Sequence, residues 1–317
     1  MKKKMLIGET PLIRIRFRYR GQEKFVYAKL EYFNLTGSIK DRIVFYMLQK
    51  AKEKGLLKEG QPLIEATSGN TGISLAAIAG YFRHPVHIFM PDWVSGERIS
   101  LMKLYGAEVH LVSRVEGGFE EAIRRADQLA EEIDGYRLNQ FQNEDNVLAH
   151  YETTGQEICN ALTDVPAFVS GIGTGGTLMG IGKRLLEKFP NVKIVALEPK
   201  QSPLLLKGTI GVHQIEGIGD DFVPSIVDRA VIDDILLIDD EDAMNMARRL
   251  ARELGLGVGI SSGANFLAAA LLPSGTVTIF VDDAKKYLST KLSHEVDSNS
   301  AFISNQIELL DFTVVSG

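Results

Sequence analysis

Short apolar or β-branched runs alternate along the chain with longer stretches of helical period, and the junctions between them are rich in Gly, Ser, Thr, Asn and Pro. Six runs predict strands: Pro62 to Ala66, Val86 to Met90, Glu108 to Val112, Ala167 to Ser170, Lys193 to Leu197 and Thr276 to Val281. Between them, Thr71 to Tyr81, Phe119 to Glu132 and Asp242 to Leu254 repeat apolar residues at helical spacing. The alternation predicts an α/β fold around a mostly parallel sheet. No internal repeat or flexible linker interrupts it, so two domains, if present, share interleaved chain. A last apolar stretch, Ile307 to Val315, is expected to pack or form a strand, and to serve as a dimer arm.

With 317 residues, the chain is long enough for one large domain or two ordinary ones. Lys plus Arg number 35 against 41 Asp plus Glu, a net charge of −6, which argues against nucleic acid or anionic lipid and for a small-molecule partner. No apolar run approaches the ~20 residues of a membrane span. The basic start at residues 2–4 reads as a solvated tail, with no apolar signal core behind it, and the one cysteine, Cys159, has no internal partner. The expectation is a reduced, cytoplasmic protein.

Five junctions hold the candidate chemistry. Asn34 to Arg42 is a polar turn running into a helix with apolar positions Ile43, Val44, Met47, Leu48 and Ala51. Lys40 falls on the buried side at the helix start, where desolvation and the helix dipole both favour the neutral, nucleophilic amine; the ordinary alternative is a snorkelling lysine paired with Asp41 or a nearby carboxylate. Glu65 to Ile73 joins a strand to a helix through Thr67, Ser68, Gly69, Asn70, Thr71 and Gly72, an anion cradle rather than a single cap. Ser170 to Thr177 spells G-x-G-x-x-G with Gly171, Gly173 and Gly176, and Glu198 ends the next predicted strand, as a dinucleotide site requires. Its extra glycine, Gly175, and its hydroxyls, Thr174 and Thr177, suit a phosphate monoester equally, so the motif alone leaves both open. Gly259 to Ala264 precedes a helical pattern from Asn265 to Leu272, with serines in N-cap position, and Gly217 to Pro224 holds adjacent carboxylates, Asp220 and Asp221, in what is usually a solvated turn.

Other chemistries lack support. The six histidines show no recognised ligand spacing, and a zinc shared by His84 and His87 has no further partner along the chain, so no metal is assigned. Neither a Walker loop nor a G-x-S-x-G elbow occurs. Trp93, Phe82 and Phe89 read as core or domain-edge packing.

Taken together, these segments resemble the cysteine synthase and cystathionine β-synthase family, pyridoxal phosphate enzymes of fold type II. The resemblance runs from Ile7-Gly8-Glu9-Thr10-Pro11-Leu12 through Ser38 to Arg42 and Thr67 to Gly72, as far as Tyr287-Leu288-Ser289-Thr290. It implies two interleaved three-layer αβα domains, a smaller mobile one at 41–145 and a larger cofactor-binding one at 1–40 plus 146–317. By resemblance, Lys40 holds pyridoxal 5'-phosphate as a Schiff base and removes the α-proton. Gly173, Thr174, Gly175, Gly176 and Thr177 bind the phosphate, Asn70 meets the ring hydroxyl, and Ser261 faces the pyridine nitrogen. Thr67, Ser68, Asn70, Thr71 and Gln140 grip the substrate carboxylate. The reaction implied is β-replacement through an α-aminoacrylate, foremost O-acetylserine plus sulfide to L-cysteine, in a homodimer.

The chain departs from the family pattern twice. Asp220 stands where a small residue usually follows Gly-Ile-Gly, and Val281-Asp282-Asp283-Ala284-Lys285-Lys286 replaces Pro-Asp-Ser-Gly-Glu-Arg. Asp220 is therefore a candidate base for water, which would turn the enzyme toward L-cysteine plus water giving L-serine and hydrogen sulfide; the bland reading caps a loop or pairs with a lysine. Serine or threonine dehydratase-type β-elimination is a further alternative.

Overall fold

The computed structural model describes residues 5–294 and 299–315; the basic tail at 2–4 lies outside them. The chain opens with an antiparallel hairpin of β1 (Leu12–Tyr19) and β2 (Gln22–Leu30). In β1, Ile13, Ile15 and Phe17 are buried while Arg14, Arg16 and Arg18 are not, the period of two that one covered face demands. Arg20 and Gly21 both have positive φ, as a two-residue hairpin turn requires. After α1 (Lys40–Glu53) come β3 (Leu63–Ala66), α2 (Asn70–Tyr81), β4 (Val86–Pro91), α3 (Gly96–Leu104), β5 (Glu108–Val112), α4 (Gly118–Glu132) and β6 (Tyr136–Arg137). Next, α5 (Asp145–Ala149), a π-helical stretch (His150–Gly155) and α6 (Gln156–Ala161) follow without a break. The chain continues through β7 (Ala167–Gly171), α7 (Gly176–Lys188), β8 (Lys193–Pro199), α8 (Leu204–Lys207), β9 (Asp234–Ile238), α9 (Asp240–Leu254), α10 (Ile260–Leu271), β10 (Thr276–Phe280) and β11 (Ile307–Val314).

These strands form two sheets, ordered β11-β1-β2-β10-β7-β8-β9 and β5-β4-β3-β6. The small sheet is parallel throughout; in the large one only the pairs made by β1 are antiparallel. Away from the β1 hairpin, helices cover both faces of each sheet. Phe266, Leu267 and Met246 of α9 and α10 pack on one side of the large sheet, and Leu178, Ile181 and Leu185 of α7 on the other. Ile43, Met47, Ile73 and Met102 of α1 to α3 cover one side of the small sheet, and Ala122 and Ala126 of α4 the other. The polypeptide leaves both sheets from the carboxyl ends of parallel strands, where α/β proteins place their ligand sites.

α10 begins at Ile260, five residues earlier than its apolar period from Asn265 predicts. Gly259 precedes it, and the small residues from Ser261 to Ala264 give its first turn no apolar period. Ser261 and Ser262 consequently lie inside α10 and do not cap it; the Ser262 hydroxyl instead accepts the Val281 amide at 2.9 Å.

A buried ionic cluster fixes the start of α1. The Arg42 guanidinium, 2% exposed, donates to both Glu31 oxygens at 2.6 and 2.8 Å and to both Glu157 oxygens at 2.6 and 2.8 Å. Lys29 adds a contact to Glu157 at 2.7 Å and a hydrogen bond to Thr10 Oγ1 at 2.7 Å. Burial alone would raise the Glu157 carboxyl, but Arg42 and Lys29 outweigh it and hold it at about 2. Its contribution to stability is present above the unfolded value of about 4.3 and is lost as pH falls toward 2. Glu31→Ala leaves one side of a buried guanidinium unpaired and is expected to cost about 3 kcal/mol, read as a lowered urea midpoint at neutral pH. A loss under about 1 kcal/mol would show that the cluster does not anchor the helix.

Candidate active site

Lys40 is the first residue of α1, and its side chain opens into a cleft between the two sheets. Burial lowers its amine to about 8, against the opposing pull of Asp220 and then Asp282. The pairing with Asp41 does not form: that carboxylate accepts the Thr36 amide at 2.7 Å and the Thr36 hydroxyl at 2.6 Å. Asp220 lines the same cleft while Asp221 is exposed, so only half of that loop is a solvated turn. Burial raises Asp220 to about 6, with Lys40 and His213 acting to lower it.

Two helices present their first turns to the cleft without a side-chain cap. Thr67, Ser68, Asn70 and Thr71 line it at the start of α2, and Gly173, Thr174, Gly175 and Thr177 at the start of α7. Such first-turn amides have no partner within the helix, and the dipole favours an anion there. The α7 loop must be glycine. A Cβ on Gly173 would sit 2.3 Å from the Gly217 carbonyl oxygen, and one on Gly175 2.3 Å from Val227 Cγ2. Gly176 lies behind the lining, pressed against Asn146, whose Oδ1 is buried without a partner and whose Nδ2 donates to Thr174 Oγ1 at 3.0 Å.

The other candidates meet here too. Gln140 lines the cleft and accepts the Thr71 hydroxyl at 2.6 Å, and Ser261 lines it from α10. Asn70 is held from both sides: its Nδ2 donates to Asp282 Oδ2 at 2.7 Å, and its Oδ1 accepts Lys286 Nζ at 2.9 Å. Twelve of the thirteen residues named from sequence therefore line one cleft, Gly176 being the exception.

The sequence did not single out Arg98, Glu216 or His150. Arg98 is buried, donates to the Ser68 carbonyl at 3.1 Å and ion-pairs with Glu216; these two residues, 118 positions apart, link the small sheet's side of the cleft to the large one's. His150, in the π-helical stretch, contacts the Thr177 hydroxyl at 3.3 Å. Burial, then the charges of Lys40 and Arg42, push it well below the usual histidine range, so it is neutral beneath the α7 cradle. Glu216 adjoins a glycine loop that the sequence did mark; nothing local marks Arg98 or His150.

The dinucleotide reading fails on Glu198. That carboxylate is buried and accepts the Leu205 and Leu206 amides at 2.6 and 3.0 Å, capping α8 instead of facing a ribose. The close approach of Gly173 to Gly217 and the two threonine hydroxyls fit a compact phosphate, and a lysine amine near 8 fits an aldehyde. The donor set thus suits a phosphorylated aldehyde cofactor.

Comparison with known proteins agrees. The model of the pyridoxal-phosphate dependent enzyme family matches residues 3–282. A cysteine synthase of Staphylococcus aureus is 40% identical over 295 residues, 90% of this chain and 95% of that one. A probable cysteine synthase of Bacillus subtilis is 43% identical over 298 residues, 90% of this chain and 96% of that one. A hydrogen sulfide-producing enzyme of Fusobacterium nucleatum superimposes with a TM-score of 0.94 at 47% identity, covering 98% of this chain and 97% of that one. The chain belongs to the pyridoxal-phosphate dependent enzymes of fold type II, in the cysteine synthase and cystathionine β-synthase family. It is a cysteine synthase-like enzyme, and pyridoxal 5'-phosphate is its cofactor.

The Lys40 amine of the cofactor-free chain is expected to react with an amine-directed acylating reagent at a rate that reaches half its plateau near pH 8, measured by peptide mass spectrometry against surface lysines. Titration of Lys40 near 10.5, the ordinary value for a lysine side chain, would contradict the desolvation described here.

Proposed function

We propose that this enzyme acts on L-cysteine and water, releasing hydrogen sulfide and leaving L-serine, with Asp220 as the base that activates the water. One observation carries the reading: a carboxylate raised to about 6 lines the same cleft as Lys40. Such a group is ionised at neutral pH yet far more basic than an ordinary aspartate, which suits it to take a proton from water at the β-carbon. The likeness to a hydrogen sulfide-producing enzyme supports it. The atoms balance: the Cβ–S bond breaks, a Cβ–O bond forms, and the proton lost by water is matched by the one the departing sulfide takes up.

In this reading Lys40 holds the cofactor, the amides and hydroxyls from Gly173 to Thr177 hold its phosphate, Asn70 meets the ring hydroxyl, and Ser261 faces the ring nitrogen. When bound, the cofactor accepts the electron pair left at Cα, so that a β-substituent can leave. The Lys40 amine takes the α-proton once neutral. Ser261 carries no charge to protonate a ring nitrogen fully, which favours loss of the β-group over transamination. Thr67, Ser68, Asn70, Thr71 and Gln140 hold the substrate carboxylate at the start of α2. The Arg98–Glu216 pair, reaching across the cleft, keeps the part of the chain at 41–145 close to the rest and excludes stray water. The family resemblance adds a mobile small domain, a homodimer and a cytoplasmic setting to this reading.

A second reading, O-acetylserine plus sulfide to L-cysteine, is favoured by the cysteine synthases of Staphylococcus aureus and Bacillus subtilis. It uses the same residues with Asp220 idle. The third, elimination to pyruvate and ammonia, leaves no hydroxyl on the product. Asp220→Asn separates them. Sulfide release from L-cysteine is expected to fall by about 10²- to 10⁴-fold, and the wild-type rate to rise with pH through about 6, while the variant still makes cysteine from O-acetylserine and sulfide. Undiminished sulfide release by the variant would overturn the assignment.

A further inference from the structure

We propose a zinc site on the outer edge of the small sheet, formed by His87, Glu108 and His110 and distinct from the active site. Sequence spacing gave His87 no partner except His84, and the fold supplies two others. β4 and β5 pair in parallel with His87 opposite Glu108, and His110 follows two residues on, so all three side chains stand on one face. The Phe89 ring, opposite His110, stacks on that imidazole at 4.4 Å between centroids and fixes its orientation.

The distances favour a shared ion over direct bonding. His87 Nδ1 lies 3.4 Å from His110 Nε2 and 3.5 Å from Glu108 Oε2, while His110 Nε2 lies 3.5 Å from Glu108 Oε1. A hydrogen bond between such groups centres near 2.9 Å and weakens steeply beyond it. Two ligand atoms each about 2.1 Å from a tetrahedral zinc are about 3.4 Å apart, the edge of the tetrahedron. His87 Nδ1 and His110 Nε2 are thus spaced as one tetrahedral edge, and each lies at that same spacing from one of the two Glu108 oxygens.

Two imidazoles and one carboxylate form a borderline-soft donor set suited to zinc rather than magnesium or calcium. Glu108 is mostly exposed, which leaves the fourth position to water. The strands meet here near their amino ends, away from the cleft that their carboxyl ends face, so the ion would clasp edge strand β5 to β4 without touching the chemistry. Among the described residues this is the one group of three or more His, Cys, Asp or Glu side chains whose ligand atoms converge in this way.

The test is zinc titration of chelator-stripped, cofactor-loaded enzyme against a chromophoric competitor. About one zinc per chain is expected, with His87→Ala and His110→Ala each weakening uptake by more than about tenfold. Wild type, but neither variant, is expected to gain thermal midpoint on adding zinc, with the cofactor's visible absorbance unchanged in all three. Cobalt(II) provides a second readout that does not depend on the variants folding: intense visible bands of a four-coordinate nitrogen and oxygen site support the proposal. A thiolate charge-transfer band would place the ion at Cys159 and overturn it. No stoichiometric uptake, or equal uptake by wild type and both variants, would likewise overturn it, leaving the histidine pair as a purely structural contact.

Discussion

Everything at the active site depends on one guanidinium held out of water. Arg42 lies one position beyond Asp41 in the first turn of α1, and its bonds to Glu31 and Glu157 tie that turn to the end of β2 and to α6. A charge so deeply buried is tolerated only because each carboxylate faces it through both oxygens. The geometry leaves the helix start no freedom to rotate, so Lys40, two residues earlier, must open into the cleft. There, desolvation brings its amine within reach of neutrality. Rigidity at Arg42 and reactivity at Lys40 are thus two results of the same burial.

The rest of the cleft depends on close backbone approach. Gly173 against Gly217 and Gly175 against Val227 bring the α7 loop nearer to its neighbours than any side chain permits. At the α2 loop, Gly69 is pressed on the Arg98 side chain, where a Cβ would lie 2.6 Å from Cδ. These contacts turn two helix starts, one from each sheet, toward the same space. Two helix starts able to hold an anion follow, one shaped by threonine hydroxyls and the other backed by Gln140; the proposed function gives the first to a phosphate and the second to a carboxylate. Asn70, fixed between Asp282 and Lys286, ties the site to the segment at 281–286: Asp282 keeps the family pattern there, while Lys286, on the other end of the amide, departs from it.

β3, β4, β7, β8 and β10 are legible because residues buried on both faces read as near-continuous apolar runs. The hairpin of β1 and β2 was missed although Ile13, Ile15 and Phe17 alternate with arginines, because such a period marks a half-covered strand and not the continuous run sought. β9, with its mixed Asp234 start, was missed for a similar reason. The glycine and threonine junctions were legible because backbone approach admits few residue types. What stayed hidden was contact between distant positions: Arg98 with Glu216, His150 beneath Thr177, and His87 beside His110. Their meeting depends on register and topology, which local pattern does not carry. Glu198 misled for the opposite reason, since an acidic residue ending a strand serves a helix cap as readily as a ribose.

The central claim is that water, activated at Asp220, is the nucleophile. Turnover of L-cysteine in water enriched in oxygen-18 tests it most directly, with the amino-acid product analysed by mass spectrometry. The account predicts L-serine carrying one labelled hydroxyl oxygen, formed in step with the sulfide released. Sulfide accompanied by pyruvate and ammonia, with no labelled serine, would contradict it.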